Sequence, residues 1–312
     1  MFKIFLPFIR RFTVQLGTYI ENLDVNKMQY AVSGQHIAWG VKWSEVEAVR
    51  GIHDWSLYDP QYESIGDYPH RITVKMTPEW ARIDERKEFA CSPPKREYWE
   101  NFVWFIVEVL HRYRPSAIEI WNEPDVDPTI MIKSHTDFYG GWGGMSREYA
   151  EFVEYIYNYL KPVWFPSITI MGGALMLDGE DQWQFATDLI EYGKFDVLSF
   201  HAYPGFCAEN YDVPLEKADR LTQIYKDLGK KRPPFWLSET SYRTPDLCDG
   251  FYEQQAQYLK HLFYNASKHN IRLISWYTLA NNNWDHTDLV SSKYSTIDPR
   301  KPVYYEFKSK FR

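Results

Sequence analysis

Residues 118–125 read Ile118-Glu119-Ile120-Trp121-Asn122-Glu123-Pro124-Asp125, an apolar-alternating run that stops abruptly at an amide, a carboxylate and a proline. Before it, Trp99, Phe102, Val103, Ile106, Val109 and Leu110 recur at three- and four-residue spacings after Pro93-Pro94. That spacing lays one apolar stripe along a helix, suited to packing on a sheet. A helix delivering the chain into a short strand with a polar end is the repeating unit of α/β proteins.

The unit recurs outward in both directions. Strands are predicted at Val14 to Ile20, Ile37 to Trp43, Arg71 to Met76, Ala117 to Trp121, Ser167 to Met171, Phe195 to Phe200, Pro234 to Leu237 and Arg272 to Trp276. Between them a helix from near Ser146 buries Tyr149, Phe152, Val153, Ile156 and Leu160, and another carries Trp183, Ala186, Leu189 and Ile190 up to Gly193. Leu221, Ile224, Tyr225 and Leu228 mark a further helix closed by Gly229, and one more runs from about Phe251 to His269. Eight such strands over 312 residues fit a (β/α)8 TIM barrel, a fold of roughly 250 residues or more. An open doubly wound sheet is the alternative, but no GxGxxG follows an early strand and no GxxxxGK[ST] is present. No Gly/Ser- or Pro-rich linker divides the chain, so one barrel domain over residues 1–312 is expected.

Composition narrows the partners. A net charge of −7 without any long single-sign run argues against nucleic acid. The aromatic content is high, with 24 Tyr, 19 Phe and 13 Trp; these rings either fill gaps between helices and strands or line a groove where sugar rings stack. Cys91, Cys207 and Cys248 form no CxxC or Cys/His cluster, so no structural zinc or other metal is expected. A Cys207–Cys248 bridge between two loops and three unpaired thiols in a reducing compartment both fit the sequence. The start, Met1 to Phe12, is broken by Pro7 and Arg10-Arg11 and is unlike a signal peptide, and no stretch reaches membrane-spanning length. A cytoplasmic location is the default expectation, and the oligomeric state is left open.

A second strand ends in a carboxylate: Phe235-Trp236-Leu237-Ser238-Glu239. Counted from Val14, Glu123 ends the fourth strand and Glu239 the seventh, so in a closed ring they face each other over the mouth. Cleaving a glycosidic bond requires one acid to protonate the departing oxygen and one carboxylate to capture the oxocarbenium-like centre. Two glutamates serve only if their environments keep one protonated and the other ionised.

Trp121-Asn122-Glu123-Pro124, His201-Ala202-Tyr203 after the sixth strand, Ser238-Glu239 and Trp276 together resemble clan A of the retaining glycoside hydrolases. Trp43-Ser44-Glu45-Val46-Glu47 with Gly51 and Asp54-Trp55, and Thr77-Pro78-Glu79-Trp80, are similar to family 39 xylosidase-like and family 5-like members. The resemblance runs from about residue 36 to 307 and includes Lys301-Pro302-Val303-Tyr304-Tyr305, where such barrels resume their last helix. It implies a carbohydrate substrate, no cofactor, Glu123 as acid/base, Glu239 as nucleophile and Asn122 on the sugar 2-hydroxyl. It also implies that His201 or Tyr203 orients the nucleophile or the substrate, and that Trp276 is a platform under the sugar. Trp142, with Asp125 and Asp127, and Trp284 in Asn281-Asn282-Asn283-Trp284-Asp285-His286 are further candidate sugar contacts, or parts of a surface cap and a polar turn. One feature departs from the clan. Where members carry a second-strand arginine that bonds the nucleophile, this chain has Ala38, leaving His36, Lys42 or Arg71 to supply the positive field. A transglycosylase and a sugar-binding barrel without activity are the competing readings.

Overall fold

The computed structural model describes residues 14–20, 25–127, 140–162, 164–205, 210–243, 252–280, 287–290 and 300–311. Eight parallel strands pair in chain order and close on themselves: β1 (Gln15–Tyr19), β2 (His36–Lys42), β3 (His70–Lys75), β4 (Ala117–Ile120), β5 (Thr169–Leu175), β6 (Val197–His201), β7 (Phe235–Thr240) and β8 (Ile271–Tyr277). Closure comes from β1 against β8, with Gly17 opposite Ser275. The outer layer holds α4 (Trp99–Tyr113), α5 (Ser146–Leu160), α6 (Glu180–Tyr192), α7 (Val213–Asp227), α8 (Tyr252–Asn265) and α9 (Pro302–Ser309), with the short α1 (Val25–Met28), α2 (Trp43–Val46) and α3 (Asp59–Ile65) early in the chain. The chain is a (β/α)8 TIM barrel.

Successive strand residues point alternately to the helices and to the barrel interior. On β2, Ile37, Trp39 and Val41 join the outer core, where Trp39 meets Tyr113 of α4 edge-on at 5.2 Å. On β3, Ile72 and Val74 face the same way. The complementary set faces in. Arg71 reaches the carbonyl of Ser238 on the opposite strand at 2.6 Å, and Thr73 donates to Glu119 Oε2 at 2.9 Å. One end of the interior is closed by Ala117, Met171, Val197 and Trp236. Above that apolar floor the filling is polar, with Arg71, Thr73, Glu119, Ser199, Ser238 and Ser275 all buried.

Two strands run further than their sequence suggests. β5 continues past Met171 through Gly172-Gly173-Ala174 to Leu175, with a register shift against β6. Gly173 has φ +127° and lies so close to β6 that a Cβ there would meet the Ser199 carbonyl oxygen at 2.3 Å. The glycines mark a bulge and a close approach, not the end of the strand. β7 likewise extends to Thr240, so that Glu239 is part of the strand itself. The predicted helix from Phe251 to His269 is α8 followed by a 3-10 turn at Ala266–His269, with Phe251 outside the described residues.

The last helix is tied to the barrel by a buried ion pair. Lys301, just before α9, donates to Asp288 Oδ1 at 2.5 Å, and neither side chain is exposed to solvent. The Lys301 backbone N–H bonds Leu289 O, whose own N–H bonds Thr278 O beyond β8. Burial pushes the Lys301 ammonium below its ordinary value while Asp288 opposes that shift. Replacing Lys301 by Met takes a buried cation away from the Asp288 carboxylate. Urea denaturation of K301M is expected to show a loss of about 3–5 kcal/mol of stability, most of it recovered in D288N/K301M.

Candidate functional site

The site sits where β4, β6 and β7 end. Beyond β4 the backbone makes two left-handed steps at non-glycine residues, Trp121 (φ +72°) and Glu123 (φ +51°). Such conformations cost about 1–3 kcal/mol each and persist only where neighbouring bonds fix them. Here they are fixed on both sides. Trp121 N–H bonds Val74 O of β3 at 2.9 Å, Glu123 N–H bonds Ala174 O of β5 at 3.0 Å, and the Trp121 indole donates to Gly140 O at 2.7 Å. The returning loop is pinned in turn: Gly140 N–H bonds Asn122 O, Trp142 N–H bonds Pro124 O, and Arg86 donates to the carbonyls of Gly141 and Gly143. Gly141 (φ +112°) leaves no room for a side chain, since a Cβ would fall 1.8 Å from the Cys91 carbonyl oxygen. Asp125 is buried and accepts the N–H groups of Met176 (3.1 Å) and Leu177 (3.0 Å) beyond β5. It is a brace between two loops rather than a sugar ligand.

Glu123 and Glu239 are both buried, at 8% and 7% exposure, and His201 at the end of β6 lies between them. His201 Nδ1 donates to Glu123 Oε1 at 2.8 Å and stands 3.7 Å from Glu239 Oε2. The ligating atoms of the three side chains all fall within 4.8 Å of one another. The Tyr203 hydroxyl donates to Glu239 Oε2 at 2.9 Å, and Ala202 N–H bonds the Glu239 carbonyl, holding β6 and β7 together at the site.

Electrostatics follow from this crowding. Burial alone would neutralise His201, but Glu239 and the hydrogen-bonded Glu123 outweigh it and hold the imidazolium up at about 9. Burial pushes the Glu239 carboxyl up to about 7, with the Glu123 charge adding to the rise; His201, the Tyr203 hydroxyl and Lys75 of β3 work against it. Among the described residues these three side chains are the one group close enough to share a cation. A metal would have to displace the proton that His201 uses to bond Glu123, so the donor set suits acid–base chemistry better than coordination.

Of the residues singled out from the sequence, Glu123, Glu239, His201 and Tyr203 are brought into one hydrogen-bonded cluster, with Asn122 beside it at 8% exposure. Two tryptophans are placed elsewhere. Trp276 points outward from β8, wholly buried, its indole donating to Thr287 O at 2.7 Å and its ring against Tyr258 of α8. The next residue, Tyr277, is the partly exposed ring on the site side, 5.6 Å from Tyr19. Trp142 is also buried, packed on Trp121, Tyr149 and Phe152, so its faces are taken by the core. The packing of Trp276 corrects the expectation of a sugar platform there, and of the two readings of Trp142 it leaves no ring face free for a sugar contact. Trp284, Cys207 and Cys248 lie outside the described residues.

The candidates for the missing second-strand charge separate clearly. His36 sits towards the barrel floor against Trp236 and Ser116, and burial, with Arg71 adding, pushes its imidazole down to about 3. Lys42 pairs with Glu45 at 2.8 Å. The positive charges that reach Glu239 besides His201 come from β3, namely Lys75 and Arg71. Lys75 and Tyr277 were not picked out from the sequence. The run His70-Arg71-Ile72-Thr73-Val74-Lys75 carried the signal for the first, because polar residues at every second position of a buried strand mark a polar barrel interior.

No protein-family model matches the chain, and no curated protein matches it by sequence. Solved structures do. A family 39 glycoside hydrolase from the gut symbiont Bacteroides cellulosilyticus WH2 superposes with a TM-score of 0.68 at 17% identity, over 96% of this chain and 63% of that one. A GH5_18 protein from Bifidobacterium longum subsp. infantis gives a TM-score of 0.65 at 12% identity, over 95% and 78%. A psychrophilic family 10 endo-β-1,4-xylanase gives 0.65 at 14%, over 95% and 97%. The chain thus spans less than two thirds of the first structure and nearly all of the third. At these identities the likeness is one of fold, a (β/α)8 barrel.

Proposed function

We propose that the chain is a retaining glycoside hydrolase acting on β-glycosidic bonds, of the family 39 xylosidase-like or family 5-like kind, with Glu123 as general acid/base and Glu239 as nucleophile. The observation that carries this reading is the pair of buried strand-end glutamates whose oxygens lie within 4.8 Å, bridged by His201. Retaining enzymes hold their two carboxyl groups about 5–5.5 Å apart, whereas inverting enzymes leave room for a water at about 6.5–9.5 Å.

In the first step a Glu239 oxygen bonds the anomeric carbon as the bond to the leaving oxygen breaks, and the Glu123 proton passes to that oxygen. In the second, Glu123 takes a proton from water, whose oxygen displaces Glu239 and restores the starting configuration. Tyr203 bonds Glu239 in its ionised form and keeps the attacking oxygen aimed. His201 bonds Glu123 and places a positive charge between two groups that would otherwise repel. Asn122, next to Glu123, and Tyr277, the partly exposed ring beside Tyr19, are assigned to contact the sugar.

Two outcomes test this. E239A should turn over no member of a panel of aryl β-glycosides, and E123A should lose about 10²- to 10⁴-fold in kcat/KM on poor leaving groups; proton NMR of the first-formed product should show the β anomer. Inversion, or full activity in E239A, sinks the reading, and sugar binding without any turnover by the intact protein favours a binding barrel instead. The pH dependence has a definite sign. Glu239 attacks only when ionised, so kcat/KM should fall as pH drops through about 7. The Tyr203 bond favours that ionised form, so Y203F should move the acid limb to higher pH. A limb that stays in place would show that Tyr203 does not act on the nucleophile.

A further inference from the structure

Arg71 is wholly buried in the barrel interior, yet it makes one direct hydrogen bond, from Nη2 to the carbonyl of Ser238 at 2.6 Å. Among the described residues its Nε and Nη1 have no hydrogen-bond partner, and Glu119 Oε2 stands 3.8 Å from Nε, close enough for charge pairing but too far for a bond. As scaffold this is a poor arrangement, because a buried ion pair of such geometry is commonly matched or bettered by an apolar side chain. Its placement is informative. β3 lies opposite β7 across the eight-stranded ring, and the bonded carbonyl belongs to the residue immediately before Glu239.

The neighbouring strand makes the space. Ala38 of β2 pairs in register with Arg71, and one inward position higher β2 carries Gly40, where a Cβ would meet the Tyr19 hydroxyl at 2.9 Å and Lys75 Cε at 3.6 Å. β2 therefore sends nothing larger than a methyl group into the middle and upper interior, and β3 fills that volume with Arg71 and Lys75. We propose that Arg71 is the positioning residue of Glu239: it anchors the backbone that carries the carboxylate through Ser238 and sets a fixed positive charge beneath it, from β3 and through the space that Ala38 leaves open. The inference rests on the reading of Glu239 as nucleophile. The groups facing Glu239 are Glu123 from the end of β4, His201 and Tyr203 from β6 and the turn after it, and Lys75 and Arg71 from β3; behind them Glu119 of β4 and Tyr19 of β1 act on Arg71, and Tyr277 of β8 acts on Tyr203. Removing Arg71 takes one cation from that set, which favours the protonated carboxyl.

The test follows Glu239 directly by carbon-13 carboxyl NMR titration, its resonance assigned by loss in E239Q, alongside the pH profile of kcat/KM on aryl β-glycosides. In R71M the Glu239 titration should move upward by about one to three pH units, and the acid limb with it. In A38R/R71A, which returns an arginine to β2, the titration should come back to within about one pH unit of the wild-type value. An unmoved Glu239 titration in folded R71M overturns the proposal. If R71M does not fold, A38R/R71A decides: a folded protein with a wild-type titration supports the proposal, and a folded protein with a displaced one overturns it. Failure of both to fold assigns Arg71 to the scaffold alone and likewise overturns it. The outcome for the glycosidase reading is separate. No turnover by the wild type together with a displaced titration in R71M removes the reading and leaves the Arg71–Glu239 coupling, whereas turnover with an unmoved titration removes the coupling and leaves the reading.

Discussion

Two carboxylates held within 4.8 Å of each other in a buried space repel, and the structure answers that repulsion with a histidine. Burial works against the His201 imidazolium, but Glu239 and Glu123 together hold it up at about 9, and His201 in turn opposes the rise of the Glu239 carboxyl. The three groups form one coupled unit whose protons belong to the set. A barrel suits such a unit, because the ends of β4, β6 and β7 bring together side chains far apart in sequence on a frame that does not relax. In a flexible loop the same charges would move apart or admit water, and the raised Glu239 value would not survive.

Holding Glu123 in place carries a local conformational cost. The left-handed backbone at Trp121 and Glu123 is stabilised by bonds from β3, β5 and the loop that returns at Gly140, and by Arg86 on the carbonyls of Gly141 and Gly143. Asp125 then ties this turn to the segment after β5, and burial, with the Glu123 charge among the lesser causes, pushes its carboxyl up to about 7 against the two N–H groups it accepts. The turn is thus built outward from the β4 end, each bond fixing the donor or acceptor of the next. Trp142 belongs to this support: buried on Phe152, Tyr149 and Trp121, it anchors the loop to α5.

Much of the arrangement was legible in the sequence, and the exceptions share a cause. The strands and the two glutamates follow from a period of two and a period of 3.6, which survive even in a single sequence. What failed was the phase of that alternation near the ends. β7 and β8 shift register between Leu237 and Thr240, so counting along β8 does not tell which of Trp276 and Tyr277 faces the site; the side chains settle it, with Trp276 on α8 and Tyr277 beside Tyr19. β5 continues beyond the expected end at Met171 because its paired glycines admit the backbone of β6, a close approach that strand periodicity does not signal. For Trp142 the sequence leaves a sugar contact and a cap both open, because the core contacts that decide it come from α5, distant from its glycine-flanked loop in any local pattern.

Ala38 shows how a barrel interior relaxes the link between a function and a position in sequence. Every strand sends side chains into one shared interior, alternate strands filling successive layers, so what a carboxylate at the mouth requires is a positive charge at a point in space, and the strand that sends it is secondary. Arg71 is the register partner of Ala38, one strand over, and its longer reach takes the guanidinium across to β7. Such an arrangement needs two features together, small residues on β2 that leave room and a buried counter-charge beside the arginine. Ala38 and Gly40 provide the first and Glu119, 3.8 Å from Arg71 Nε, provides the second. β2 alone offers Glu239 no charge from Ala38 or Gly40, whereas the interior as a whole does, because Arg71 enters from β3 and bonds the carbonyl of the residue before it.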